Sequence, residues 1–239
     1  MRLINQLWEL PGKDCEALAT QLLIEENNFD RPEKRYQRML AQAIALKDEV
    51  VDTVILRAIY NYYDDIYLKD SYLIIDGKPF VSPVLRGIDP QQILGAYVFS
   101  LTAGDFSFEE RSMMEQILFD LWGTAFATAG RKRLQEHFSA EGRISEVFGP
   151  GLYAIPMETM QDLISMLDAE KIGVTVNESC FLWPVKSYGG IIFRVAEDYR
   201  PRGGSCATCR GSKLSCNLCE YNPNRQQQPE TAGMTTIED

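Results

Sequence analysis

The spacing Cys206-x2-Cys209-x6-Cys216-x2-Cys219 is the strongest chemical pattern in the chain. Two pairs of thiolates, each on a two-residue knuckle, can close a tetrahedral shell, and Gly203, Gly204 and Gly211 let the backbone wrap an ion. Zinc held by four sulfurs has no open position and would be structural. A [4Fe-4S] cluster on the same thiolates would add one-electron chemistry, and the spacing leaves both metals open. Cys15 and Cys180 stand singly in apolar sequence. Six cysteines so distributed fit a reducing compartment with one metal site better than a disulfide framework.

Other reactive residue types are sparse. His137, the sole histidine, follows Arg131, Lys132 and Arg133 near the end of a helical run, where an imidazolium suits the helix dipole better than it suits catalysis. Histidine-dependent hydrolysis is therefore poorly supported. Asp64-Asp65 and Glu109-Glu110 are sequence neighbours that point apart and read as solvated surface. No GxGxxG follows a strand and no GxxxxGK[ST] occurs, so those nucleotide loops are not expected. The tyrosines at 60, 62, 63, 67 and 72 could stack a planar ligand, but at this density they read first as core packing.

These groups sit in 239 residues that are 45% hydrophobic and 24% charged, enough to bury a core without disulfides. Lys+Arg 24 against Asp+Glu 34 gives a formal charge of -10 with no basic run, which disfavours nucleic acid and anionic lipid as partners. No window reaches the ~18 to 20 apolar residues of a membrane helix. Asn5, Gln6 and Glu9 interrupt any signal-peptide core at the N-terminus. The expectation is a cytoplasmic protein.

The pattern predicts a helix over 14–26 with a stop at Asn27-Asn28. A second is expected from Asp30 as N-cap, with Pro32 in its first turn and Tyr36, Met39, Leu40, Ala43 and Ile44 on its buried face. Residues 50–63 are open between helix and strand. Tyr72 to Ile75, Asp76-Gly77 and Lys78 to Val81 form a hairpin signal, and Ile93 to Thr102 reads as a buried strand. Ser107-x-x-Glu110 is a capping box expected to open a long helix through Phe119, Trp122, Phe126 and Leu134 to Phe138. A helix over 158–167 and strands over 174–176 and 191–195 follow. Mixed elements without a βαβ rhythm favour an α+β fold with a twisted antiparallel or mixed sheet and flanking helices.

Three blocks in order carry a family resemblance. Ile93 to Gly104 is a strand ending in Thr102-x-Gly104 before the long helix. Gly149-Pro150-Gly151-Leu152-Tyr153, with Pro156, precedes the next helix, and Leu152 stands where the family has its loop tyrosine. Val174 to Phe193 holds a strand, Glu178-Ser179, four mostly apolar residues, Pro184, Ser187 and Gly189, then a strand. Together, over about 93–193, they resemble the reactivation (activation) domain of cobalamin-dependent methionine synthase. With the cysteine cluster added, the chain resembles stand-alone activation proteins of corrinoid methyltransferases.

The resemblance implies a domain that binds S-adenosylmethionine in a shallow groove and presents its methyl group to the cobalamin of a partner corrinoid protein or methyltransferase, with an electron from a separate donor. It implies that Pro150, Gly151 and Tyr153 form the loop between sulfonium and corrin, that Glu178, Ser179 and Ser187 shape the groove, and that Trp183 suits the corrin face. The Tyr153 turn and the stretch around Trp183 should then be opposite walls of one cleft. The expected organisation is an activation domain over 1–200, a metal-binding module at 201–221 on Cys206, Cys209, Cys216 and Cys219, and a disordered tail at 222–239. Two other functions fit the same residues: a zinc-stapled interaction module without its own small ligand, and an iron-sulfur electron-delivery protein on this scaffold.

Overall fold

The computed structural model describes residues 2–82, 85, 88–106, 111–152 and 155–199. The chain runs β1 (Leu3–Pro11), α1 (Glu16–Glu26), α2 (Lys34–Ala45), α3 (Lys47–Thr53), β2 (Ile55–Tyr63), β3 (Ile66–Lys69), β4 (Tyr72–Ile75) and β5 (Lys78–Val81). It continues with β6 (Ile93–Thr102), α4 (Met113–Ser139), β7 (Ile144–Phe148), α5 (Thr159–Ser165), β8 (Thr175–Val176), β9 (Leu182–Trp183) and β10 (Ser187–Val195). Five strands form an antiparallel sheet in the order β1-β2-β6-β10-β7, beside a three-stranded sheet β3-β4-β5 and the β8-β9 hairpin.

The near-continuous apolar run of β6 arises because the central sheet is covered on both faces. Alternate side chains of one strand must enter different layers. Ala96 and Val98 join a core with Ile59, Leu163 and Phe193, while Phe99 and Leu101 join one with Leu134 and Phe138. On the first face lie α5 and the small sheet; on the second, α4 packs with α1 and α3 around Trp122, Phe126 and Leu23. Trp122 is fully buried because its indole N–H finds a partner, donating to the Ala43 carbonyl at 2.9 Å. The α+β class is thus the observed one.

Several boundaries differ from the sequence reading. Asn28 stops α1 in a left-handed conformation at φ 54°, and the Phe29 N–H returns to the Ile24 carbonyl at 2.9 Å. Burial of Phe29 holds the following residues out of helix, so α2 begins at Lys34 with Glu33 in the cap position, not at Asp30. Of its expected buried face only Ala43 is buried; Tyr36, Met39 and Leu40 are half-buried, and Ile44 is exposed. Residues 50–63 divide into the end of α3 and β2. Asp76 and Gly77, at φ 51° and 77°, make the expected hairpin turn between β4 and β5.

The long helix is capped by Ser112, whose hydroxyl accepts from the Glu115 N–H at 3.3 Å while Glu115 returns a bond to the Ser112 N–H at 3.1 Å. The Ser112 hydroxyl, which also donates to the Glu115 carboxylate at 2.7 Å, and then the Ser112 N–H hold that carboxyl below its ordinary range. The Ser107-x-x-Glu110 box lies outside the described residues. So do Tyr153, the four clustered cysteines and the tail. No helix of the described residues is long and apolar enough to cross a membrane.

Candidate functional site

Two glycines of β10 let other chain segments close over the sheet. A Cβ at Gly189 would meet the Met160 sulfur at 2.9 Å, and one at Gly190 would meet the Phe148 carbonyl oxygen at 3.0 Å. Helix α5 and β7 can therefore approach β10 closely, and the strand begins at Ser187 rather than at Ile191, because these glycines pair with Ser100 and Phe99 inside the sheet.

Beyond this close approach the chain opens into a groove of about 430 Å³. Gly149, Pro150 and Leu152 of the turn after β7 form one side; Phe181, Leu182 and Val185, around β9, form the other. Met157, Met160, Ser187, Tyr188, Gly189 and Arg131 complete it. The turn is internally braced: the Leu152 N–H donates to the Gly149 carbonyl and the Gly151 N–H to the Ile155 carbonyl, both at 2.9 Å. Gly151 sits at φ 81°, where a side chain would be strained and would also press the Met157 sulfur at 2.9 Å.

The opposite wall is a short hairpin. Thr175 pairs with Trp183 and Val176 with Leu182, and the loop between them is tied by the Phe181 N–H donating to the Asn177 side-chain oxygen at 2.9 Å. Cys180 adopts φ 65° in that loop and is buried with its side facing the groove. The Trp183–Pro184 peptide is cis. The strap that follows is anchored to α4 and β6. Lys186 bonds Asp120 at 2.7 Å and Thr124 at 2.9 Å, and the Ser187 hydroxyl donates to the Thr102 hydroxyl at 2.9 Å. Phe181 is 63% exposed, Trp183 52% and Val185 68%, an apolar rim beside the groove mouth.

The residues expected at the site therefore divide. Pro150 and Ser187 line one groove, and Gly151 shapes the turn between them and Met157. Glu178 and Ser179 occupy the exposed tip of the hairpin loop and do not line it. Trp183 projects to the rim rather than the interior, between groove-lining Leu182 and Val185. Sequence reasoning missed Arg131, Met157, Met160, Phe181, Val185 and Tyr188. Arg131 carried a legible signal: it stands four residues after buried Ala127 and three before buried Leu134, a charge on an apolar helix stripe.

Elsewhere the residues singled out are structural. His137 is exposed in the last turn of α4, 3.2 Å from the Tyr60 hydroxyl. Tyr62 and Tyr63 are buried and Tyr60 packs edge-on against Tyr97 and Phe138, the core role expected of them, whereas Tyr67 and Tyr72 lie exposed on the small sheet. Among the described residues no group of three or more His, Cys, Asp or Glu side chains could hold a metal ion.

A two-sided antiparallel sheet with a groove between the β7 turn and the β9 strap defines an activation-domain-like fold. The chain is similar to the crystal structure of the MetH reactivation domain bound to AdoHcy, with a TM-score of 0.66, 14% sequence identity, and coverage of 83% of this chain and 81% of that one. No protein-family model matches the chain, and no curated protein matches it.

Proposed function

We propose that the groove between the 149–152 turn and the 181–189 strap binds S-adenosylmethionine, and that the protein offers its methyl group to the cobalamin of a partner corrinoid protein, supporting reductive methylation. One observation carries this reading: the groove lies in a fold shared with a domain solved with AdoHcy, the demethylated counterpart of that donor. Its size suits a ligand of that class. The rim of Leu152, Phe181, Trp183 and Val185 supplies the apolar surface that the broad face of a corrin requires. The protein's share of such a reaction is positioning, since the cobalt supplies the nucleophile.

The same proposal assigns the activation domain to 1–200 and a metal-binding module to 201–221. The donor set of Cys206, Cys209, Cys216 and Cys219 fits zinc as a staple or [4Fe-4S] as an electron source. A second reading is favoured by the groove's lining, in which no carboxylate stands among the described residues to meet a sulfonium. Under it the rim docks a methyltransferase or corrinoid protein and the groove holds no methyl donor. Calorimetric titration with S-adenosylmethionine separates the two. The proposal expects saturable heat at one site per chain; no heat, with or without a corrinoid protein, leaves the docking module.

A further inference from the structure

We infer that Arg131, carried on α4, is the anion hook of the groove and holds the carboxylate of the bound ligand. The inference rests on the reading of the groove as a site for an adenosyl amino acid. Arg131 is the one charged side chain among the described lining residues. Its Nε is inaccessible to solvent and has no hydrogen-bond partner, and among the described residues the side chain makes no ion pair. The nearest acid along the helix is committed elsewhere, since Glu136 pairs with Arg133 at 2.7 Å.

What holds the guanidinium in place is an aromatic ring. Its Cζ lies 5.2 Å from the centroid of Tyr188, and the Tyr188 hydroxyl is 3.4 Å from Thr128, one helical turn before Arg131. Ring and guanidinium are thus set against the same face of α4. A cation half withdrawn from water, oriented and unpaired, is costly unless an anion arrives. A single guanidinium matches a single planar carboxylate through two parallel N–H bonds, and a doubly charged phosphate ester would remain half neutralised. Apart from Ser187, Tyr188 and Cys180 the remaining side chains of the lining are apolar, so the ligand is an amphipathic molecule with one carboxylate, a description that an adenosyl amino acid meets.

The test compares wild type, Arg131→Gln and Arg131→Lys by calorimetry with S-adenosylhomocysteine and with 5′-methylthioadenosine, which lacks the amino acid portion. Circular dichroism and urea midpoints serve as folding controls. Arg131→Gln is expected to weaken S-adenosylhomocysteine at least about tenfold while leaving methylthioadenosine within about twofold, and Arg131→Lys to recover part of the loss. Unchanged discrimination in Arg131→Gln overturns the inference and leaves the adenosyl reading standing. Should wild type bind neither nucleoside, the adenosyl reading falls, and the hook is read with the amphipathic anion 8-anilinonaphthalene-1-sulfonate against neutral N-phenyl-1-naphthylamine. A sulfonate preference that disappears in Arg131→Gln sustains the hook, and a preference that persists overturns it.

Discussion

Replacing Asn61 by leucine removes a side chain that joins three parts of the molecule. Asn61 is buried in β2; its oxygen accepts from the Asn5 N–H at 2.6 Å, and its amide donates to the Met166 carbonyl at 2.6 Å and to the Tyr63 hydroxyl at 2.8 Å. Asn5 interrupts β1 at φ 49°, where the β1–β2 register shifts and its N–H leaves the ladder. Met166 ends α5, the helix whose Met160 borders the groove. Leucine has similar volume, so little is lost in packing, but one backbone donor and one backbone acceptor lose their partners. At about 1–3 kcal/mol each, moderated because both positions are only partly buried, the expected loss is about 2–4 kcal/mol. Urea unfolding followed by tryptophan fluorescence measures it, with an unchanged slope.

Asn61→Asp sharpens the reasoning. It keeps the bond from Asn5 but sets a carboxylate oxygen against the Met166 carbonyl. Its folded pKa is therefore raised, so the penalty is present above the unfolded value of about 4 and fades as pH falls toward it. A loss under about 1 kcal/mol in Asn61→Leu, or a pH-independent penalty in Asn61→Asp, would refute the bridging role.

Two further outcomes follow from other parts of the structure. Tyr97, nearly enclosed and stacked on Phe138 at 4.2 Å, has its hydroxyl pKa pushed up to about 12 by burial, with the nearby Tyr62 adding to it. The unfolded chain ionises near pH 10 and the folded one later, so this stability is complete below pH 10 and is lost as pH rises toward 12. Wild type should lose about 2 kcal/mol more across that window than Tyr97→Phe in parallel urea titrations, and equal losses would contradict it. Cys209→Ser should lose most of its bound metal by elemental analysis and melt earlier, because site and local structure share their binding energy; unchanged metal and melting would count against a four-cysteine site.

What the sequence showed best were elements with a strong local cause. Asp76-Gly77 demanded a turn, the near-continuous apolar run of Ile93 to Thr102 demanded a buried strand, and the spaced aromatics of α4 demanded a long helix. Strands β1 and β7 were not legible: β1 has no fully buried residue, and β7 is five residues interrupted by Glu146. At the site, Pro150 and Ser187 could be named because they fall in the sequence blocks that resemble the reactivation domain, and both line the groove. The groove's working surface could not. Phe181 and Val185 resemble core residues until the hairpin turns them outward, and Arg131 enters the site only because α4 crosses behind β10. Glu178 and Ser179, adjacent in sequence to groove residues, are carried to the hairpin tip by a loop that no spacing reveals.

The methionines allow the groove to be tested in place. Met157 and Met160 line it, whereas Met113 and Met114 begin α4, about 27 Å along the helix from Arg131. In a sample labelled with 13C at the methionine methyls, titration with S-adenosylmethionine should shift the Met157 and Met160 resonances and leave those of Met113 and Met114 in place. Unmoved Met157 and Met160 signals at saturating ligand, or shifts confined to the start of α4, would contradict the groove as the methyl-donor site.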